Sequence, residues 1–231
     1  MKIVITGSEG LLGKQLVRDL SSTYQIIKLD LKLGHDLNNE NFVSNFFLRN
    51  RSLYGLIICH GLNPLKDLTN ASKTTKSNNN PLTLKTDSVR EFFETNLFSP
   101  FNISRHFIKN QKKGKIITVS SLYGVISPMH FLYENSYKHI GYCMSKSSII
   151  MMTKYLGTLY AKNFNINSVV LGGITTSKIN KKFIKNYSKI NPKKRMMKTN
   201  EASGIFKYLL DKKSSYVNGG IFTIDGGWTS W

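Results

Sequence analysis

Six short runs of apolar, largely β-branched residues recur along the chain: KIVIT (2–6), YQIIKLD (24–30), GLIICHG (55–61), GKIITVSS (114–121), INSVVLGG (166–173) and GGIFTID (219–225). Runs that are apolar on both faces, rather than alternating, are the type found in parallel strands covered from both sides. Between them the apolar residues recur at helical spacing, which predicts helices over 11–20, 39–50, 88–110, 142–162 and 200–211. The alternation predicts an α/β chain, a single-domain doubly wound Rossmann fold over residues 1–231 with a mostly parallel sheet flanked by helices. No internal repeat is visible. One polar stretch, LTNASKTTKSNNNPLTLKTD at about 68–87, breaks the rhythm as either a mobile loop near the site or a surface excursion.

The formal net charge of +20 is the one extreme of composition. Such a charge suggests a nucleic acid, a membrane surface or an anionic ligand. Here most lysines are scattered and accompanied by asparagine (LNNEN, KSNNN, KNFNIN), so the charge reads as residue usage and no nucleic-acid or membrane partner is expected. The exception is local, KINKKFIKNYSKINPKKRMMK at 178–198. No apolar run approaches the roughly 18 residues of a membrane span, and MKIVITG carries no basic leader, so a cytoplasmic protein is expected. Cys59 and Cys143 make no disulfide framework, and no Cys/His cluster has zinc-ligand spacing, so no metal is expected. Cys143 reads as a small buried thiol rather than a redox centre.

The first run leads into Thr6-Gly7-Ser8-Glu9-Gly10-Leu11-Leu12-Gly13 and then a helix. Glycines at 7, 10 and 13 let the backbone turn tightly and approach a pyrophosphate, which then rests on the amides and positive dipole end of that helix. Asp30 closes the second strand about 20 residues on, where a carboxylate accepts hydrogen bonds from an adenosine ribose. The same carboxylate repels a 2′-phosphate, which favours NAD over NADP, although Lys28 and Lys32 beside it soften that preference.

Tyr-x-x-x-Lys occurs three times, and on the order of one match is expected by chance. Tyr24 and Lys28 fall on a strand, where four positions separate side chains by roughly 13 Å. Tyr208 and Lys212 sit at a helix end beside Asp211 and Lys213, which reads as a solvated C-terminal turn. Tyr142 and Lys146 instead open an apolar helix, where i and i+4 share a face. An ammonium there is expected to lower the phenol pKa from its reference of about 10 towards neutrality, as a general acid or base requires. Ser120-Ser121 end a strand just upstream, at the edge where open α/β sheets bind ligands.

These residues resemble the short-chain dehydrogenase/reductases, over essentially the whole chain. Thr6 to Gly13 is similar to the dinucleotide fingerprint, and Asp36-Leu37 resembles the acidic pair that contacts the adenine. Cys59-His60-Gly61 stands where the family has Asn-Ala-Gly, keeping only Gly61. The resemblance implies catalytic Asn96, which holds a water near the lysine, Ser121, which orients substrate, and the Tyr142–Lys146 pair, which also contacts the cofactor. Gly172, Ile174 and Thr176 resemble the loop at the nicotinamide, with Thr176 near the carboxamide. It implies further a homodimer or homotetramer, through the helices containing Asn96 and Tyr142. Read from the residues alone, Ser121 could be a strand-end serine capping the next turn, with Ser120 as runner-up for its role. Asn96 could likewise be a helix-interior asparagine satisfied by nearby backbone.

The departures are as informative. Leu171 replaces the loop proline, and five residues separate Asp30 from Asp36, so the helix between the second and third strands reads as deleted. The glycine spacing follows the epimerase-like branch. Twenty residues lie between Ser121 and Tyr142, and the extra segment (126–141) is expected to shape the substrate pocket. Its Phe131, Tyr133 and Tyr137 would stack on a sugar or pack the loop. His130 and His139 would bind hydroxyls or phosphate, though loop histidines are more often solvated. In the basic tract (177–199), Lys181, Lys182, Lys185, Lys193, Lys194 and Arg195 would close as a lid over a phosphate or form a solvated helix face, and the lysine bias tips the weight to the second.

With LGHDL, SSLYGVISP and TKYL, the chain is similar to the oxidoreductases of flagellin-modification and nonulosonic-acid surface-sugar clusters. The resemblance implies an NAD(P)-dependent oxidoreductase that moves a hydride between nicotinamide and an alcohol or carbonyl of an anionic sugar derivative, in surface-glycan biosynthesis. Two alternatives stand: a nucleotide-sugar epimerase or dehydratase, disfavoured because the chain stops at DGGW without a substrate domain, and a non-catalytic dinucleotide-binding regulator or nucleic-acid-associated scaffold.

Overall fold

The two-sided apolar runs become strands whose alternate residues feed separate cores. The computed structural model describes residues 1–63, 79–133 and 136–230. In chain order the elements are β1 (Lys2–Thr6), α1 (Leu11–Leu20), β2 (Gln25–Leu29), α2 (Glu40–Arg49), β3 (Gly55–Ile58), α3 (Thr86–Phe93), α4 (Ser99–Asn110), β4 (Gly114–Ser121), α5 (Ile140–Leu159), β5 (Phe164–Leu171), α6 (Lys181–Ile190), α7 (Ser203–Leu210) and β6 (Ile221–Ile224). The strands form one parallel sheet ordered β2-β1-β3-β4-β5-β6. Strand order reverses between β1 and β3, which puts a crevice outside their carboxyl ends.

Period-2 alternation explains the two layers. Ile3, Ile5, Ile57, Ile117 and Val169 pack against Leu16 and Leu20 of α1 and Phe206, Leu209 and Leu210 of α7. Val4, Leu56, Ile58, Ile116 and Ile166 face the other way, onto Val43, Phe47, Ile103, Phe107 and Leu156 from α2, α4 and α5. A third, smaller core draws on residues that follow β4, β5 and β6: Leu122, Leu132, Tyr133, Ile179, Phe183, Tyr187, Met196 and Trp228. That core roofs the carboxyl edge of the sheet.

Several expectations change in detail. The helix expected over 88–110 is α3 and α4 joined by a π turn, Glu94–Phe98, which inserts an extra residue where Asn96 is buried. The helix expected over 142–162 begins earlier, at Ile140, because His139 caps it. The 200–211 segment enters α7 through a 3-10 turn, Thr199–Ala202. Where a helix alone was read as deleted, a 3-10 turn at Leu31–Leu33 follows β2, and no strand precedes α2 among the described residues, so strand and helix are missing together. The polar 68–87 stretch lies largely outside the described residues. Its described part joins the segment before α5, Asn79 Nδ2 donating to the Tyr137 carbonyl at 2.9 Å. No helix among the described residues is long and apolar enough to cross a membrane, and no group of three or more His, Cys, Asp or Glu side chains there could hold a metal ion.

Candidate active site

The register aligns Thr6 with Ile58 and Ser121 with Leu171, so the loops leaving β1, β3, β4 and β5 emerge level with one another. They enclose a cleft of about 360 Å³. Its glycine-loop wall is Gly10, Leu11 and Leu12, and the opposite wall carries Gly172, Ile174 and Thr176. Ser121, Tyr142, Lys146 and Gly61 line the space between.

The glycine loop is close-packed. Gly7 has φ +64°, and a Cβ there would stand 2.6 Å from the His60 nitrogen. A Cβ on Gly13 would stand 2.0 Å from the Gly7 carbonyl, so the helix can sit on the loop only as glycine. Gly10 caps α1 without a side-chain hydrogen bond, and no acidic residue occupies the first turn, which leaves the amides and positive dipole end for an anion. Asp30 follows β2 and is buried. Its carboxylate accepts from the Glu9 amide and the Lys32 amide, both at 2.9 Å, tying the glycine loop to the second strand. Glu9 pairs with Lys14 and Lys28 at 3.3 Å each, and these cations hold its carboxyl below its usual value. Asp36 is exposed and accepts from the Asn38 amide at 3.0 Å, while Leu37 is buried. Asp30, Asp36 and Leu37 stand outside the enclosed cleft, beyond the glycine loop.

Tyr142 and Lys146 lie one turn apart on α5, both buried. Burial pushes the Tyr142 phenol up to about 12, and a hydrogen bond with Ser121 works against that rise. The expected lowering by Lys146 is therefore not present in this geometry. Lys146 Nζ stands 6.0 Å from the ring centroid and donates to the Val119 carbonyl at 3.0 Å. Burial pulls Lys146 itself down to about 8, opposed by Cys59 and assisted by Lys138. Ser121 Oγ also accepts from the Tyr123 amide at 3.2 Å, so the serine caps the turn after β4 while its hydroxyl stays beside the Tyr142 phenol. Ser120, the runner-up, donates to the Lys146 carbonyl at 2.7 Å and anchors α5.

Asn96 bonds through both side-chain polar atoms. Its Oδ1 accepts from the Leu62 amide at 2.6 Å, and its Nδ2 donates to the Leu62 carbonyl at 3.0 Å and to Ser145 Oγ at 3.1 Å. The side chain thereby clamps the strand-end loop against α5. A Cβ on Gly61 would stand 3.0 Å from Asn96 Oδ1 and 3.4 Å from Lys146 Nζ, so glycine there keeps asparagine and lysine adjacent.

Other residues are resolved by their neighbours. His139 is buried and not solvated: its Nδ1 caps α5 by accepting from the Gly141 amide at 3.1 Å, and Phe92 stacks on the ring at 4.2 Å. Burial lowers its pKa. His130 packs edge-on to Tyr137 outside the cleft. Tyr133 is buried and donates to the Tyr123 hydroxyl at 2.9 Å, whereas Phe131 is exposed. Lys181, Lys182 and Lys185 project outward from α6, whose other face puts Phe183 and Tyr187 into the cleft. Arg195 is held by Glu201 at 2.6 and 2.7 Å, and Lys193 and Lys194 are exposed. Cys59 lines the cleft with its thiol pushed up to about 12 by burial.

Sequence reasoning missed Lys138 and Asn63, both in the cleft lining. Lys138 Nζ stands 4.1 Å over the Tyr142 ring and donates to Asn63 Oδ1 at 2.5 Å. The helix face read in the basic tract is present as α6, but its apolar side was missed, although Ile179, Phe183, Tyr187 and Ile190 recur at helical spacing within the lysines.

A dinucleotide fits these walls. Thr176 Oγ1 lies on the cleft wall, buried and without a hydrogen-bond partner, an orphaned polar atom suited to a carboxamide. The uncapped α1 terminus could take a pyrophosphate and the Asp30 carboxylate could accept from ribose hydroxyls.

A family model described as enoyl-(acyl carrier protein) reductase matches residues 67–229. Post-translational flagellin modification protein A of Campylobacter coli is 31% identical over 125 residues, 53% of this chain and 48% of that protein. The chain thus spans about half the length of that relative. A 3-oxoacyl-[acyl-carrier-protein] reductase of Buchnera aphidicola subsp. Baizongia pistaciae is 26% identical over 261 residues, 97% of this chain and 95% of that protein. Among solved structures, a short chain dehydrogenase from Leptospira borgpetersenii serovar Hardjo-bovis with bound NAD+ superposes with a TM-score of 0.80 at 26% identity, over 99% of this chain and 92% of that one.

Proposed function

The chain belongs to the short-chain dehydrogenase/reductase family, and from that premise we propose that it is an NAD-dependent oxidoreductase interconverting an alcohol and a carbonyl on an anionic sugar derivative, in surface-glycan biosynthesis. The observation that carries the reading is the convergence of Ser121, Tyr142, Lys146 and the unpartnered Thr176 hydroxyl on one cleft. Gly7 to Gly13, Asp30, Asp36, Leu37, Gly61, Gly172, Ile174 and Thr176 would hold the dinucleotide, which supplies or accepts the hydride at its nicotinamide.

The chain's own residues handle the proton. Tyr142 Oη gives a proton to the carbonyl oxygen on reduction and takes it from the alcohol on oxidation. Ser121 bonds both the phenol and the substrate oxygen, which fixes their separation. Lys146, with a pKa near 8, exchanges protons with solvent on the Asn96 side, and its charge favours phenolate when it swings from Val119. Burial excludes water from the phenol and raises the cost of its ionisation, so the cations beside it matter more than they would in water.

NAD is favoured over NADP by two carboxylates at the adenosine end. Asp30 would meet the ribose, and Glu9 pairs with Lys14 and Lys28, which draws those two cations away from a 2′-phosphate. The aromatic walls Tyr123, Tyr133, Phe183 and Tyr187 suit the C–H faces of a sugar ring, and Lys138 adds positive charge beside them. In this reading the 126–141 segment shapes the pocket and 177–199 closes it. Association through α4 and α5 is supported by their exposed apolar side chains, Phe101, Met144, Met151, Tyr155 and Leu159.

A second reading, reduction of a β-ketoacyl thioester, is favoured by the apolar lining residues Leu122, Ile179 and Met196 and by the full-length acyl-reductase relative. The test follows nicotinamide absorbance with NAD+ and NADP+ against pooled sugar phosphates and nucleotide sugars, and with NADH and NADPH against acetoacetyl-coenzyme A. Turnover of the sugar pool with at least about ten-fold preference for NAD+ supports the proposal. Turnover of the thioester alone replaces the substrate class, and no turnover with either removes the catalytic reading.

A further inference from the structure

His60 stands where the family resemblance places a small alanine, and its ring is surrounded by polar partners. Nδ1 lies 2.7 Å from Thr6 Oγ1, at the carboxyl end of β1. Nε2 lies 3.0 Å from Ser99 Oγ, in the first turn of α4. The Ser99 hydroxyl in turn donates to the Leu37 carbonyl at 2.7 Å. These three contacts fix the tautomer. Ser99 spends its only proton on Leu37, so it accepts from Nε2–H, and the Thr6 hydroxyl, 2.7 Å from Nδ1 but 3.4 Å from the Ile57 carbonyl, gives its one proton to Nδ1. Burial and the Lys146 charge hold the ring neutral, with a pKa pulled down to about 3 and Asp30 opposing that fall.

The main chain of the same residue meets the glycine loop. A Cβ on Gly7 would stand 2.6 Å from the His60 nitrogen and 2.7 Å from its Cα. One residue therefore touches the first glycine with its backbone and, through Ser99, the buried Leu37 with its ring. Leu37 follows Asp36 in the segment assigned to the adenine, and the Asp36 carboxylate is used locally by the Asn38 amide.

We infer that His60 is a positioning residue for the adenosine end of the dinucleotide site, its neutral ring holding the Asp36–Leu37 segment at a fixed distance from the glycine loop through Thr6, Ser99 and the Leu37 carbonyl. The inference rests on the dinucleotide reading above. It separates two jobs: the ring acts on binding of the adenosine half, and the chemistry at Tyr142 proceeds without it. His60→Ala cuts the chain at the imidazole, and Ser99→Ala cuts it one link later with a smaller change in volume.

ADP-ribose is the probe, because it lacks the nicotinamide, and its dissociation constant is measured by calorimetry for the parent and each variant alongside kcat and KM for NAD+. The expected result is a rise of about ten-fold in the ADP-ribose dissociation constant and in the NAD+ KM for His60→Ala and Ser99→Ala, with kcat at saturating NAD+ within about two-fold. His60→Gln places an amide N–H near the Nε2 position and is expected to recover most of the affinity. His60→Asn, which keeps an acceptor towards Thr6 but no donor reaching Ser99, is not. Unchanged ADP-ribose affinity in Ser99→Ala overturns the inference while leaving the dinucleotide reading intact, as does a fall in kcat without a change in KM. A parent that binds neither NAD+ nor ADP-ribose overturns both.

Discussion

The two walls of the cleft are built by different means. On the wall proposed for the dinucleotide the parts are backbone turns and short polar links: Gly7 against His60, Gly13 against Gly7, and the Asp30 carboxylate bridging the Glu9 and Lys32 amides. On the wall proposed for the substrate lies a small aromatic core in which Tyr187 stacks on Trp228 at 4.3 Å and Phe183 packs on Tyr133 at 5.5 Å. Backbone turns tolerate almost no added atoms, whereas an aromatic core can be repacked if volume and shape are roughly kept. The difference teaches where this chain can vary: a common cofactor needs a fixed cradle, and a new substrate needs only new side chains around the same phenol.

The comparison breaks first at the shared phenol. Tyr142→Phe removes the proton carrier and keeps the packing with Phe92, so kcat should fall by about 10³-fold or more while dinucleotide affinity stays within about two-fold, measured by steady-state kinetics and calorimetry. A variant that turns over at the parental rate would remove Tyr142 from the mechanism.

Next in size comes the rigid wall. Gly13→Ala puts a methyl group 2.0 Å from the Gly7 carbonyl, so α1 must lift off the loop, at a cost of about 3 kcal/mol or more in stability and most of the NAD affinity. Gly204→Ala in α7 is the control, with nothing within 4 Å of the added Cβ. Thermal or urea unfolding should show it neutral or stabilised by about 0.5 kcal/mol.

Lys146 tests whether function and stability oppose each other at the centre. Its pKa is pulled down from 10.5 to about 8 in the folded chain. The unfolded chain therefore binds more protons between about pH 8 and 10.5, and stability rises with pH over that window, while below pH 8 the full cost of the buried ammonium is borne. Lys146→Met should thus stabilise the free protein at pH 7 by about 1–2 kcal/mol, allowing for the lost bond to Val119, while activity falls by about 10²-fold or more. Urea midpoints from pH 6 to 10 check the sign, and a destabilised Lys146→Met at every pH would show that the ammonium is not under strain.

What was legible in the sequence divides along the same line. All six strands could be read, because each is a two-sided apolar run, and α1 could be read to its bounds because glycine and leucine mark its start and periodicity its length. The glycine loop, Asp30 and the Tyr142–Lys146 pair are local in sequence, and so they were visible. The substrate wall is not local. Tyr123, Tyr133, Phe183, Tyr187 and Trp228 come from three separate connections, and their meeting depends on how those connections fold over the sheet edge. Lys138 reached the phenol because α5 begins at Ile140, a boundary set by the His139 cap that periodicity alone does not reveal. Asn96 was found as a residue but not in its surroundings, since a π turn leaves no signature in an apolar pattern.

The smallest effect is also the one that separates the walls most cleanly. Phe183 is buried on α6, lines the cleft, and lies far in sequence from the glycine loop. Phe183→Ala leaves the surrounding aromatics in place and opens a void, so α6 loses contact area against Tyr133 and Tyr187. If the two walls act separately, the substrate KM rises by about ten-fold, while the ADP-ribose dissociation constant and the pH profile of kcat, which report the cradle and the phenol, do not move. Phe183→Leu keeps most of the volume and should lie between parent and alanine variant, which distinguishes filled space from a specific stacking contact. Equal losses of substrate and ADP-ribose affinity would mean that α6 braces the cradle too, through the bond from the Gly173 amide to the Tyr187 hydroxyl at 3.0 Å, and the division into two walls would then fail at that link.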